Sequence, residues 1–237
     1  MSFSNRPILI FRHEPHEGAG YLGDFLVRRG LAYRLIRVDQ GESIPEDVER
    51  TSALIFMGGH MSANDDLPWI GAEMRLIRTA MEADVPILGN CLGGQLISKA
   101  VGGSITRNPV PEIGWLRVQP VAGPAAGDWL GGLEPDFDVF QWHGETFSIP
   151  PRATRILQSP DCANQAFAVG RTLAVQFHLE MTEPMVVDWA EKGACALAET
   201  SATVQGRADM CSGLAARVGR LHHVADVLYA RWLSGLR

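Results

Sequence analysis

Short apolar runs alternate with amphipathic stretches along most of this chain. This alternation is typical of strands and helices that follow one another in a largely parallel sheet. The pattern predicts buried strands at residues 7–11, 33–38, 53–57, 86–89 and 172–177. It predicts helices at residues 18–29, 68–83, 92–100, 183–199 and 207–233. Residues 104–169 are rich in proline, glycine and short β-like runs, and their pattern defines no individual element.

Composition narrows the classes of function. The 237 residues are 46% apolar, which is enough for a large α/β domain with a sizeable core. The net charge is −6 with no run of lysine or arginine, so we expect neither nucleic acid nor a membrane as a partner. No apolar run has the length of a signal peptide or a membrane span. The four cysteines (Cys91, Cys162, Cys195 and Cys211) show no zinc-like spacing, so free thiols in the cytoplasm are expected.

Cys91 stands apart from the other cysteines, at the junction of a predicted strand and a predicted helix. Residues 89–93 read Gly-Asn-Cys-Leu-Gly, the pattern of a sharp turn that projects a nucleophile from a sheet. The residues two positions before and two positions after the nucleophile lie against each other in such a turn, so both must be small. Gly89 and Gly93 satisfy this requirement. The helix N-terminus would favour a thiolate on Cys91. The alternative is a structural cysteine in a glycine-rich turn, since glycine spacing alone is a weak signal.

His178 ends a predicted strand, and Glu180 follows two residues later. Alternate residues of an extended segment point to the same side, so Glu180 can reach one imidazole nitrogen while the other faces Cys91. Nucleophile, base and orienting carboxylate in this order form a catalytic triad. The alternative is an ordinary surface His–Glu pair, and the two motifs together are more specific than either alone.

Together, the two motifs resemble those of the class I glutamine amidotransferases, G-x-C-x-G-x-Q and F-H-x-E. Residues 57–62 (Met-Gly-Gly-His-Met-Ser) resemble a glycine pair of that family. Residues 64–69 (Asn-Asp-Asp-Leu-Pro-Trp) are most similar to its free-standing, GMP-synthase-like branch. The resemblance covers about residues 7–195 and implies a flavodoxin-like, three-layer α/β sandwich with a mostly parallel central sheet.

The resemblance also implies a chemistry. Cys91, His178 and Glu180 would hydrolyse or transfer a γ-glutamyl amide through a thioester on Cys91. The backbone N–H groups of Gly59 and Leu92 would form the oxyanion hole. The substrate-binding positions would be Gly58, His60, Gln95, Trp142, His143, Gly144 and Glu145. No metal or organic cofactor is implied, and a synthase or ammonia-acceptor subunit would take up the ammonia.

Three positions depart from the family pattern. Leu179 replaces a proline, Gly94 replaces a bulkier residue, and His60 stands where many members have proline. None of these changes removes a catalytic group. Gly94 lies next to the sharp turn that carries Cys91 (the elbow), and a residue this small predicts a roomier pocket. The His60 ring would add a hydrogen-bonding group beyond the γ-amide. Both features favour a substrate that continues past the amide nitrogen.

Other interpretations stay open at this point. A γ-glutamyl peptidase acting on a peptide or conjugate is one, since the pattern shows no synthase domain. A catalytically silent binding module is another, although an intact triad disfavours it. His143 and Glu145 would contact the substrate's charged ends or form a satisfied loop network. A metal at His13 and His16 is disfavoured, because Pro15 breaks helical presentation and no Cys or Asp cluster accompanies them.

We expect residues 1–200 to form the class I glutamine amidotransferase-like catalytic domain and residues 201–237 to form a helical extension. Apolar residues recur at steps of three and four in this extension, namely Leu214, Val218, Leu221, Ala225, Leu228 and Trp232. The stripe predicts packing on the domain or against a second copy of the chain in a homodimer.

Overall fold

The computed structural model describes residues 6–194 and 197–234. Its strands are β1 (Ile8–Arg12), β2 (Tyr33–Arg37), β3 (Ala53–Phe56), β4 (Ile87–Asn90), β5 (Ile105–Pro120), β6 (Phe137–Phe147), β7 (Thr154–Gln158), β8 (Ala166–Val169) and β9 (Thr172–Val175). Its α-helices are α1 (Gly20–Arg28), α2 (Pro68–Glu82), α3 (Leu92–Ala100), α4 (Pro124–Leu130), α5 (Glu183–Lys192), α6 (Arg207–Cys211) and α7 (Leu214–Leu233).

Within these residues the strands form one mixed sheet in the order β2-β1-β3-β4-β9-β8-β7-β5-β6. Strands β2, β1, β3, β4 and β9 pair in parallel. The other four strands extend the sheet with antiparallel pairings, including the long β5–β6 pair. The predicted α/β class is confirmed. The antiparallel half comes from the segment in which the sequence pattern defined no element.

Alternation along the central strands sends side chains into two core layers. In β1, Ile8 and Ile10 join the core that includes α1, α5 and α7, whereas Leu9 and Phe11 join the core that includes α2 and α3. Helices therefore cover both faces of the sheet, as the three-layer prediction requires. Coverage of both faces also explains why these strands are near-continuous apolar runs.

Two predicted helices differ from the structure, and both differences occur at a glycine. The helix predicted for residues 183–199 ends at Lys192, and a side chain at Gly193 would collide with the ring of Trp142. The helix predicted for residues 207–233 is divided into α6 and α7, because Gly213 adopts a left-handed φ of 60°. Cys195 lies outside the described residues.

Helix α7 lies against the rest of the chain. Its residues Leu221, Leu228, Tyr229 and Trp232 are at most 1% exposed, and the helix contacts α1, α4, α5 and β6. The apolar stripe seen in the sequence is thus covered by the chain itself. Among the described residues, no helix combines the length and apolar character needed to cross a membrane.

Removing a buried side chain of α7 should destabilise the whole chain. Leu228 is fully buried, so Leu228→Ala should lower the free energy of unfolding by about 2–5 kcal/mol. Arg220→Ala, at an exposed position of the same helix, should leave it nearly unchanged. Urea unfolding followed by tryptophan fluorescence measures both. A chain truncated before Arg207 should be insoluble, and a soluble truncation of equal stability would contradict this role of α7.

Candidate active site

Cys91 lies at a sharp turn between β4 and α3. It has a φ of 48° and a ψ of −109°, which is strained for a non-glycine residue. Its backbone N–H donates to the Val175 carbonyl at 2.9 Å, which ties the turn to β9. A Cβ on Gly93 would collide with the backbone of Phe56, and one on Gly89 would lie 2.6 Å from the carbonyl carbon of Gly93. The predicted elbow is therefore sterically dependent on both glycines.

His178 follows β9 and reaches the same edge of the sheet. Its backbone N–H donates to the Phe140 carbonyl at 2.9 Å. Its Nδ1 lies 2.7 Å from Oε1 of the fully buried Glu180, so Nδ1 carries the proton that this carboxylate accepts. Nε2 is buried and has no hydrogen-bond partner among the described residues. The ring stands edge-on to Trp189, with centroids 4.8 Å apart.

The electrostatics around His178 favour its charged form. Burial by itself would lower the pKa of the imidazole, but the charge of Glu180 and the neighbouring Cys91 sulfur outweigh it. The net result is a pKa well above the usual value. A protonated imidazole beside a sulfur at a helix N-terminus stabilises a thiolate. The three residues are therefore placed for nucleophile, base and orienter roles.

The glycine loop after β3 is held by His13, at the end of β1. His13 Nδ1 lies 3.1 Å from the carbonyl oxygens of Met57 and of Gly58, and Nε2 lies 3.0 Å from Oε1 of Glu73. Each ring nitrogen thus faces carbonyl or carboxylate oxygens, an arrangement that favours the protonated form of His13. Because the Gly58 carbonyl points to His13, the N–H of Gly59 in the same trans peptide points away from it.

The ion pair of His13 and Glu73 is buried, since both side chains are 0% exposed. Burial alone would lower the pKa of His13, but the charge and hydrogen bond of Glu73 raise it above 6.5. The sequence pattern around His13 indicated no role other than that of a possible metal ligand. Glu73 had no distinguishing signal, because it looks like any acidic residue of an amphipathic helix.

A cavity opens beside Cys91 and divides into two lobes that share Gly59, His60, Cys91 and Trp142. The Gln95 lobe, of about 440 Å³, is also lined by Ser62, Gln95, Gly144 and Glu145. The Glu17 lobe, of about 270 Å³, is also lined by His16, Glu17, His178, Trp189 and Lys192. A larger cavity of about 550 Å³, bordered by Arg78, Arg152 and Arg171, contains none of the predicted site residues.

The Gln95 lobe brings together most of the predicted substrate contacts. Gln95 Nε2 donates to the Glu145 carbonyl at 3.3 Å, and the Glu145 carboxylate accepts from Ser62 Oγ at 2.8 Å. Gly58 lies behind Gly59, against Glu17 and His178. The His60 side chain is 81% exposed at the rim and pairs with Glu14.

His143 belongs to a buried polar network behind the lobe. Its Nδ1 donates to the Glu145 carbonyl at 3.0 Å, and its Nε2 lies 2.9 Å from Oε2 of Glu112. Both side chains are 1% exposed, an arrangement that favours the loop-network interpretation of His143. Ligand atoms of Glu112, His143 and Cys162 lie within 4.8 Å of one another. Hydrogen bonds from Ser159 and Gln165 already occupy Glu112. Burial raises the pKa of Cys162, which disfavours the thiolate that a metal would require.

The prediction that Gly94 widens the pocket is wrong. Gly94 is buried against β9, and a Cβ there would lie 2.7 Å from the Val175 carbonyl oxygen. The glycine therefore allows α3 to approach the sheet and does not border either lobe. The periodicity of the sequence could not show which side of α3 faces the strand.

Glu17 is a site residue that the sequence analysis missed. It is 7% exposed, lines the smaller lobe, and its Oε2 has no hydrogen-bond partner among the described residues. Burial raises its pKa, the nearby His178 lowers it and Glu180 raises it, to a net value of about 7. Its position in an irregular loop after β1 left no periodic signal.

Replacing Gly93 tests the steric constraint at the elbow. Gly93→Ala should cost at least about 3 kcal/mol of unfolding free energy, because its Cβ would collide with backbone atoms of Phe56 that cannot rotate away. Gly219→Ala in α7 meets no atom within 4 Å and should stabilise the chain by up to about 1 kcal/mol. Chemical denaturation compares them. Equal stability of both variants would contradict the close approach.

Removing the partner of His13 should destabilise the chain in a pH-dependent way. Because the folded pKa of His13 is raised, the pair's contribution is fully present below about pH 6.5 and is lost as pH rises through the folded pKa. Glu73→Gln should therefore cost about 3–5 kcal/mol near pH 6 and less at high pH. Glu42→Gln, which breaks an exposed pair with Arg37, should change little. Chemical denaturation of the wild type and both variants over a pH series measures these costs. A cost of Glu73→Gln that rises with pH would contradict a protonated His13.

The chain is similar to known proteins in both sequence and structure. A family model described as glutamine amidotransferase class-I matches residues 22–184, which include Cys91, His178 and Glu180. A glutamine amidotransferase crystal structure from Methylobacillus flagellatus is 40% identical, with a TM-score of 0.95 over 99% of this chain and 96% of that chain.

Two relatives known by sequence are more distant. A glutamine-hydrolysing GMP synthase subunit from Sulfolobus acidocaldarius is 31% identical over 154 residues, 64% of this chain and 78% of that protein. The glutamine amidotransferase-like protein YfeJ of Salmonella typhimurium is 28% identical over 176 residues, 72% of this chain and 74% of that protein. From the family match and these likenesses it follows that this chain belongs to the class I glutamine amidotransferase family.

Proposed function

We propose that this chain is an amidohydrolase that cleaves a γ-glutamyl amide, glutamine first of all, through a thioester on Cys91. One observation carries the proposal. A strained cysteine at a helix N-terminus lies beside a buried imidazole whose Nδ1 is held by a carboxylate at 2.7 Å and whose Nε2 is unoccupied. This arrangement matches the geometric requirement for an activated nucleophile.

The proposed acylation begins from a Cys91 thiolate beside a protonated His178, the pair that the raised pKa of His178 favours. The thiolate then attacks the γ-carbonyl carbon, and the negative charge moves to the carbonyl oxygen. The N–H groups of Gly59 and Leu92 would hold that oxygen, since the Gly59 N–H points away from His13 and Leu92 begins α3. Each such donor typically contributes about 2.7–4 kcal/mol to the barrier reduction.

Collapse of the intermediate breaks the C–N bond, and the amide nitrogen takes the proton from His178. Water then attacks the thioester while His178 accepts a proton from it, and the C–S bond breaks to release glutamate. Glu180 keeps the imidazole in the tautomer that leaves Nε2 available. The Gln95 lobe would hold the glutamyl part, with Glu145 positioned for its ammonium group.

A second candidate function is hydrolysis of a γ-glutamyl peptide or conjugate. The observation that favours it is the Glu17 lobe, which offers space on the His178 side of Cys91 beyond what ammonia fills.

A silent binding module is the third candidate, and labelling of Cys91 by a glutamine-mimicking electrophile would argue against it. The relative named as part of GMP synthase supports a further proposal, in which a partner subunit takes up the ammonia.

Variants of the triad test the mechanism. Cys91→Ala and His178→Ala should each lower kcat by at least about 10⁴-fold, because residues that act as a unit fail together. Glu180→Gln should lose less, since Glu180 only orients and polarises the base. Ammonia release from glutamine measures all three, and circular dichroism verifies the fold. Cys211→Ala, a half-buried thiol on α6, is the matched control and should keep full activity. Activity in Cys91→Ala would refute the assignment.

A further inference from the structure

The two lobes of the cavity differ in the residues that line them next to Cys91. The Gln95 lobe lies on the side of Gly144 and Glu145, whereas His178 lines only the Glu17 lobe. In any thioester mechanism the base gives its proton to the departing nitrogen. The leaving amine must therefore lie beside His178, which places it at the Glu17 lobe and the acyl group at the other.

Glu17 occupies this lobe without a partner. Its Oε2 is buried, has no hydrogen bond, and lies with His178 Cε1 against the α-carbon of Gly58. Among the described residues, no lysine or arginine forms an ion pair with it. The imidazole of His178 is already engaged by Glu180, and that of His13 by Glu73.

Burying a carboxylate without a partner costs free energy, and burial accordingly raises the pKa of Glu17 to about 7. A cation bound in the lobe would remove the penalty. The carboxyl group of Glu17 is therefore available to pair with a cationic ligand in this lobe.

The walls of the lobe suit the same kind of ligand. The rings of Trp142 and Trp189 meet edge to face with centroids 5.8 Å apart. Tryptophan faces attract alkylammonium groups. Lys192 at the lobe does not oppose this charge, because its ammonium is paired with Asp188 at 2.7 Å. A carboxylate and two tryptophan side chains in one small lobe are a combination that suits a small organic cation.

We propose that the Glu17 lobe binds the amine half of the substrate, and that Glu17 selects γ-glutamyl amides whose amine carries a second, positively charged nitrogen. The inference rests on the proposed function. The scissile nitrogen is a neutral amide before cleavage, so only a second nitrogen can pair with Glu17 in the bound substrate. A lobe of about 270 Å³ has room for a short alkyl chain between the two nitrogens.

The reaction balances without a further reagent. The C–N bond breaks as Cys91 holds the acyl group, the leaving nitrogen takes one proton from His178, and a diamine departs. Water then supplies the hydroxyl group of the released glutamate and returns its proton to His178. Glu17 exchanges no atom with the substrate.

The test uses two amides of equal size that differ in one charge, the γ-glutamyl amides of 1,2-diaminoethane and of propylamine. The full chain should hydrolyse the diaminoethane amide with a kcat/KM roughly tenfold higher or more. Glu17→Gln keeps the shape of the side chain and should bring this ratio close to one. Glu49→Gln, at an exposed position that lines neither lobe, is the matched control and should keep the wild-type ratio.

The outcomes separate this inference from the function on which it rests. If the wild type hydrolyses neither amide nor glutamine, the proposed function fails. If it hydrolyses glutamine and both amides with a ratio near one, or if Glu17→Gln keeps the preference, the assignment of Glu17 is overturned and the function stands. Should Glu17→Gln fail to fold, Glu17→Asp replaces it, because a retracted carboxylate should lower the ratio without abolishing it.

Discussion

The approach of helix α3 to the carboxyl ends of β3, β4 and β9 is the steric constraint on which the site depends. At Gly89, Gly93 and Gly94 a Cβ would press on neighbouring backbone, including the carbonyl of Val175. With three side chains absent, the helix begins directly over the sheet. Cys91 is then forced into its left-handed backbone conformation, and its sulfur stands at the helix N-terminus where negative charge is favoured.

A second organising feature is the arrangement of buried charges around this turn. His13 and His178 each face a carboxylate, and the Gly58–Gly59 peptide lies between them. The ring of His13 fixes the direction of that peptide, and the ring of His178 lies beside the Cys91 sulfur. Glu17 has no ion-pair partner among the described residues, and burial raises its pKa to about 7.

The C-terminal helix is connected to the same centre although it lies beyond the residues matched by the family model. Tyr229 of α7 is fully buried, and burial together with the charge of Glu180 raises its pKa well above the usual value. The Glu180 carboxylate therefore lies close enough to α7 to act electrostatically on Tyr229. Removal of α7 would expose this side of the core and bring water toward Glu180, so the helix supports the site as well as the fold.

The sequence by itself predicted the parallel strands and the turn at Cys91, because these depend on local periodicity and on residues close together along the chain. It predicted the Cys–His–Glu set from two separate motifs and their resemblance to those of a known family. Only the tertiary structure showed that His13 pairs with Glu73 and that Glu17 is buried close to His178, since these arrangements join distant segments of the chain. It also reversed the interpretation of Gly94, which faces a strand and not the pocket. Local sequence specifies which groups are present, whereas packing decides which of them are buried, paired or placed without a partner at a cavity.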